Sequence, residues 1–186
     1  MADMVETTEA GERTEAHSAT AHSIRLGFLL VGLAALAVAP AGSPHAGGLI
    51  VVAERAFGHR EATAGFVIGG PAPCEFRMRR RDDFDVSDCC VLPSGDLMIL
   101  ERRFRWSDGM AIRLRRLAVA ELKPNALVEG RQIFEATMMQ DIDNMEGLAA
   151  HRNAAGETIL TMISDDNFNW FQRTLLLQFR LVEEPR

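Results

Sequence analysis

The chain has 186 residues, a net charge of −6, 47% apolar residues and 25% charged ones, which is globular composition with enough length for one domain and a sizeable core. The negative charge, the absence of Tyr and an aromatic content of only 6% argue against a nucleic-acid binder, which needs basic surface and stacking platforms. Three cysteines (Cys74, Cys89, Cys90) and five scattered histidines (His17, His22, His45, His59, His151) offer neither a disulfide framework nor zinc-ligand spacing. Cys89 and Cys90 read as buried small hydrophobes, and the histidines as solvent-facing.

Residues 1–25 carry Asp3, Glu6, Glu9, Glu12 and Glu15 against Arg13 and Arg25. An apolar run, Leu26–Val38, follows. The leader has the wrong charge for the n-region of a secretion signal, and thirteen apolar residues fall short of the roughly 20 that span a bilayer. Residues 1–31 are therefore read as a polar leader plus the start of an apolar run, and 32–186 as the folded domain. A membrane anchor through 26–38 stands as the alternative.

From residue 32 onward the apolar segments are short and broken by turn residues, which favours strands over helices. Leu33–Val38 and Gly48–Glu54 pair across Pro40–Gly47, followed by Ala64–Ile68 and Glu75–Arg79. The run Arg79-Arg80-Arg81 before Asp82-Asp83 reads as a solvated loop with local charge pairing. Asp88–Leu92 closes on the turn Pro93-Ser94-Gly95-Asp96, and Leu97–Phe104 comes next. In Met110–Leu117, Met110, Ile112 and Leu114 alternate with Ala111, Arg113 and Arg115, the period of a strand. A connection through Lys123-Pro124-Asn125 and Gly130 leads to Gln132–Ala136. The last stretch offers Gly147–His151, Glu157–Ser164 and Arg173–Leu181, the final one apolar enough to be largely buried.

These segments repeat. GLAALAVAP…GGLIVVAER (32–55), SDCCVLPSGDLMILERR (87–103) and NMEGLAAHRNAAGETILTMISDDN (144–167) each hold a short apolar segment, a turn, and a longer apolar segment ending in charge. Leu36, Val91 and Leu148 mark comparable points about 55 residues apart, a period that signals a stacked or radial fold. Four antiparallel strands per repeat is the blade of a β-propeller. The expected fold is all-β and β-propeller-like, with about two complete four-stranded blades plus a partial third. Closed propellers typically hold 4–8 blades, so the chain reads as part of a larger propeller or as one that self-associates through open sheet edges.

Antiparallel pairing puts the start of the first strand and the end of the second on one edge. The first position holds Ala34, Asp88 and Glu146; the second holds Glu54, Glu101 and Asp165-Asp166. Asp143 and Asn144 add oxygens nearby. A carboxylate and amide edge without Cys or His suits a hard cation, Ca²⁺ or Mg²⁺, with Asp88, Glu101, Asp143, Asn144 and Asp165 as ligands. Arg55, Arg103 and Arg173 would grip substrate oxygens, and Glu146, Asp166 and Arg102 would act in catalysis. Alternatively, the acids cap turns and pair with arginines. No G-x-S-x-G elbow or Ser–His pairing is evident, and Ser164 reads as a strand-end hydroxyl.

The strings IDNMEGLAAHR (142–152), GETILTMISDDNFNWFQRTLLLQF (156–179), DDFDVSDCCVLPSGDLMILERRF (82–104) and ALAVAPAGSPHAGGLIVVAER (35–55) resemble the phytase-like family, the "esterase-like activity of phytase" proteins, from about Gly32 to the C-terminus. The resemblance implies a β-propeller, usually exported by bacteria and hence periplasmic or secreted, that hydrolyses phosphate or other esters of small molecules. It also implies calcium, through a more distant likeness to propeller phytases. Family members are longer, and a Glu is usual where Ala34 stands, so this chain is expected to be a C-terminal portion and to be inactive as it stands or active only when completed. The competing expectation is a non-catalytic propeller that binds a ligand or partner.

Overall fold

A computed structural model describes residues 32–55 and 61–183; the leader, residues 26–31 of the proposed anchor, His17, His22 and His59 lie outside these. The described chain is all-β. Its strands are β1 (Leu33–Val38), β2 (Leu49–Ala53), β3 (Ala62–Ile68), β4 (Cys74–Arg79), β5 (Asp85–Val91), β6 (Leu97–Arg105), β7 (Gly109–Leu117), β8 (Leu127–Val128), β9 (Arg131–Thr137), β10 (Met145–Arg152), β11 (Thr158–Ser164) and β12 (Leu176–Leu181). Sheet I runs β1-β2-β3-β4-β8, sheet II β5-β6-β7-β9 and sheet III β10-β11-β12, none of them closed. Residues 33–38 of the suggested anchor are thus a sheet strand. No helix among the described residues is long and apolar enough to cross a membrane.

Two details differ from the sequence reading. Sheet I gains β8, a short strand parallel to β4, where a plain connection was expected. Asn125, in the left-handed conformation at φ 60°, turns the chain so that its N–H reaches the Glu75 carbonyl at 2.8 Å. The final strand, β12, is mostly exposed rather than buried. It pairs with β11 on one side and has no outer neighbour among the described residues, so only one face and one edge are covered.

The sheets stack face to face around two apolar layers. Ile50, Val52, Val67 and Phe76 of sheet I meet Val86, Cys89, Leu97 and Ile99 of sheet II. Met98, Leu100 and Ile112, on the other face of sheet II, meet Met145, Leu148, Leu160 and Met162 of sheet III. Sheet II is covered on both faces, which explains why Leu97–Leu100 is an unbroken apolar run with every residue buried. Each such side chain contributes about 1.5–3 kcal/mol. The first strands β1, β5 and β10 lie beside one another.

The repeat is written in hydrogen bonds as well as in sequence. The first and second strands of each sheet are closed by the same pair of bonds: Gly47 N to Ala39 O with Ala39 N to Gly48 O, Gly95 N to Leu92 O with Leu92 N to Asp96 O, and Gly156 N to Asn153 O with Asn153 N to Glu157 O. Gly47, Gly95 and Gly156 all have φ between 75° and 93°, a region that other residues enter at a cost.

Each first strand also carries a bulge at the same place, at Ala34 in β1, Ser87 in β5 and Glu146 in β10. This register corrects the alignment read from sequence. Leu36 corresponds to Cys89 and Leu148 rather than to Val91. Ala34 and Glu146 are equivalent, but Asp88 falls one residue later, beside Ala35 and Gly147. Likewise Glu101 matches Ala53 and Ser164, while Glu54 matches Arg102 and Asp165. In a strand a one-residue offset moves a side chain to the opposite face.

Candidate functional site

The edge carrying the ends of β2, β6 and β11 holds a cleft of about 500 Å³ between sheets I and II, lined by Arg55, Arg80, Arg102 and Arg103 together with Glu54, Asp83 and Asp85. Asp85, at the start of β5, is buried. Its Oδ2 accepts from Arg55 Nε at 2.6 Å and also from an Arg55 terminal nitrogen, and its Oδ1 accepts from Arg80 at 2.6 Å. Arg55 remains 67% exposed at its side chain, and its bond to Asp85 raises its pKa further above the ordinary guanidinium range. One carboxylate thereby fixes two cations that face the cleft.

Arg102 joins all three sheets. From β6 its guanidinium reaches Glu54 of sheet I at 3.9 Å, Asn144 Oδ1 at 2.5 Å and Glu146 Oε1 at 3.1 Å. The Asn144 amide donates to the same Glu146 oxygen at 2.5 Å. Arg103 stacks on Phe84, 4.9 Å from the ring centroid, and bonds Asp108 at 2.6 Å. Its buried Nε has no hydrogen-bond partner among the described residues.

Of the residues singled out in the sequence, the structure brings Arg55, Arg102 and Arg103 to the cleft and ties Asn144 and Glu146 to it through Arg102. The others are placed elsewhere. Glu101 is fully buried and gripped by Arg115 Nε at 2.9 Å and a terminal Arg115 nitrogen at 2.5 Å; burial raises its pKa while Arg115 opposes the rise. Asp88 accepts from its neighbour's N–H, Cys89, at 2.8 Å and from Leu148 N–H on sheet III at 2.6 Å, so it fastens two first strands together. Burial raises the Asp88 pKa, and those two bonds pull the other way. Asp143, also buried, accepts from the N–H groups of Asn144 at 2.9 Å and Arg173 at 3.0 Å. Asp165 and Asp166 cap the following turn at Asn167 and Phe168, both at 2.9 Å. Arg173 stays with Asp141 and Asp143, at 4.0 and 3.6 Å. Ser164 donates to the Arg173 carbonyl at 2.6 Å, a structural bond.

Sequence reasoning missed Asp85 and Arg80. Arg80 was expected in a solvated loop, yet its side chain is only 16% exposed, because the buried Asp85 draws it inward. The available signal was position: Asp85 opens the first strand of its repeat. His45 is a second correction. It is buried rather than solvent-facing, with its two ring nitrogens 2.6 and 2.7 Å from the carbonyls of Ala72 and Leu122.

The model of the family described as phytase-like, esterase-like activity of phytase, matches residues 31–168. The chain belongs to the phytase-like family. Strand β12 lies beyond the matched stretch, and no curated protein and no solved structure matches the chain.

Membership in the phytase-like family suggests a hydrolase-like function. Among the described residues no group of three or more His, Cys, Asp or Glu side chains is placed to hold a metal ion. At the one point where Glu54, Asn144 and Glu146 converge, the Arg102 guanidinium already supplies the positive charge. What the phytase-like cleft offers at this point is guanidinium chemistry: fork-shaped donors suited to planar or tetrahedral oxyanions.

Proposed function

We propose that the three sheets are blades of a β-propeller and that the cleft between the first two binds the anionic group of a small phosphate or other ester for hydrolysis. The adjacency of β1, β5 and β10 supports the radial arrangement. The observation that carries the functional reading is the arginine cleft itself, in which Asp85 holds Arg55 and Arg80 in place. In this reading Arg55, Arg102 and Arg103 hold substrate oxygens. Glu146, whose Oε1 takes the bonds from Arg102 and Asn144, takes the proton from the attacking water and returns it to the departing oxygen as the ester bond breaks, so that the ester is split into acid and alcohol. The calcium expectation enters only as a comparison to be measured, and no step depends on it.

Kinetics with p-nitrophenyl phosphate and p-nitrophenyl acetate, each with and without Ca²⁺, test this reading. A hydrogen bond from a charged donor contributes about 1.5–3 kcal/mol, so Arg55→Ala lowers kcat/KM for the phosphate ester by about 10- to 150-fold. The neutral ester is expected to respond far less. Equal phosphate turnover by Arg55→Ala and the parent protein would remove the cleft from the reaction.

A non-catalytic binding module is the second reading. It is favoured by the way Asp88, Glu101, Asp143, Asp165 and Asp166 all accept bonds from the protein itself. Calorimetric binding of inorganic phosphate without turnover of either ester would support it.

A further inference from the structure

We propose that the cleft selects esters whose alcohol part is a planar aromatic ring, a phenol or a nucleobase, and that Phe104 sets this preference. The inference rests on the anion-binding reading above and names the other half of the same substrate. It starts from the lining of the cleft, which is not guanidinium alone. Beside Arg102 and Arg103 stand Phe104 and Met110, cross-strand partners on β6 and β7. Met110 is 8% exposed, but Phe104 is 54% exposed, so one open ring lies next to the arginines. The pairing of β6 with β7 is regular through this stretch. Alternate residues of a strand share a face, so Arg102 and Phe104 project from the same side, about 7 Å apart along the strand. An anion held by Arg102 therefore has the Phe104 ring within reach of its alcohol part.

Trp106 extends this wall. It sits in the turn between β6 and β7, is 96% exposed and meets Phe104 edge to face, with ring centroids 5.3 Å apart at 76°. The turn is fastened to the cleft itself. Asp108 accepts from Arg103 at 2.6 Å and from Ser107 at 2.7 Å, so a cleft arginine holds the loop that carries Trp106. A single surface aromatic needs no ligand to explain it. Here two rings are held together beside four arginines, in a cavity of about 500 Å³. That volume and that mixture of an apolar wall with a few placed polar groups are those of small-molecule sites, which span roughly 300–1,000 Å³. The exposed Phe168, Trp170 and Phe171 follow β11 and are not among the residues that line the cleft.

Isothermal titration calorimetry with phenylphosphonate and methylphosphonate tests this, since neither probe has an ester bond to hydrolyse. Stacking on Phe104 is expected to make phenylphosphonate bind about tenfold more tightly. Phe104→Ala removes that preference while leaving methylphosphonate binding and the circular dichroism spectrum as in the parent protein. Phe104→Trp restores the preference, and Trp170→Ala, outside the cleft, keeps it. Adenosine 5′-monophosphate in a third titration identifies the ring: a phenol where phenylphosphonate alone gains over methylphosphonate, a nucleobase where the nucleotide gains more. Equal binding of the two phosphonates by the parent overturns the proposal, and this comparison needs no variant. A folded Phe104→Ala protein that loses both probes alike also overturns it, because the ring would then support the arginines rather than the ligand. Methylphosphonate binding without an aryl preference sinks this inference and leaves the anion-binding reading standing, whereas no binding of either probe removes both.

Discussion

Replacing Glu101 by Ala separates a structural carboxylate from a metal ligand. Glu101 is 0% exposed and Arg115 is 1% exposed, and two of Arg115's nitrogens lie 2.9 and 2.5 Å from the Glu101 oxygens. Without Glu101 the guanidinium keeps only the Glu129 carbonyl, at 2.5 Å, and its charge is left buried and unpaired. Breaking a buried pair in this way costs about 3–5 kcal/mol. At about 2–4 °C per kcal/mol for a domain of this size, Tm falls by about 6–20 °C. The double replacement Glu101→Leu with Arg115→Leu is expected to recover most of the loss, since two apolar groups leave no orphan charge. The assay is differential scanning calorimetry with and without Ca²⁺. A metal ligand would behave differently: the Ala variant would match the parent without metal and lose only a calcium-dependent rise in Tm. A Glu101→Ala protein within about 2 °C of the parent in metal-free buffer would refute the reasoning.

Two further perturbations follow from the interior. Burial, aided by the nearby Asp88 charge, pushes the Cys90 thiol up to about 12 and Cys89 higher still. The unfolded thiols ionise near pH 8.5, so their contribution is complete below that pH and is lost as pH rises toward about 12. Calorimetric stability should therefore fall through this range, and a thiol reagent at pH 8 should label the buried Cys89 only after unfolding; rapid labelling of Cys89 in the native protein, read by peptide mapping, would contradict the burial argument. Asp88→Ala removes the acceptor for the Leu148 and Cys89 N–H groups at a cost of about 1–3 kcal/mol. Because the folded pKa of Asp88 is raised, the parent loses stability as pH rises from about 3.9 through the folded value, and the Ala variant should lack that slope. Denaturant midpoints measured across acid pH report both effects, and parallel pH profiles for the two proteins would count against them.

Much of this molecule is legible in one dimension. Alternation in Met110–Leu117, the glycine turn after Leu92 and the short apolar runs specify strands and turns through local conformational preference, and every expected strand is present. Chain order and antiparallel pairing also placed Arg55, Arg102 and Arg103 on one edge, because hairpin geometry needs no distant information. The belonging to a phytase-like family was likewise readable in strings such as DNMEGLA and SDDNF.

What the tertiary structure alone decided is register and partnership. The bulges at Ala34, Ser87 and Glu146 slip each first strand by one residue, and nothing in the local pattern announces where such a slip falls. On β6 Glu101 shares the face of Leu97 and Ile99 and so enters the buried layer beside Arg115, while the slip in β5 gives Asp88 the Leu148 N–H of another sheet. Arg80, inside an ordinary charge run, and Asp85, just beyond it, come to line the cleft because Asp85 is buried and must be paired. Side-chain direction changes with every residue along a strand, and charge partners come from strands far apart in sequence. Local preference therefore determined the elements, while the chemistry at their edge was settled by how the sheets pair and stack.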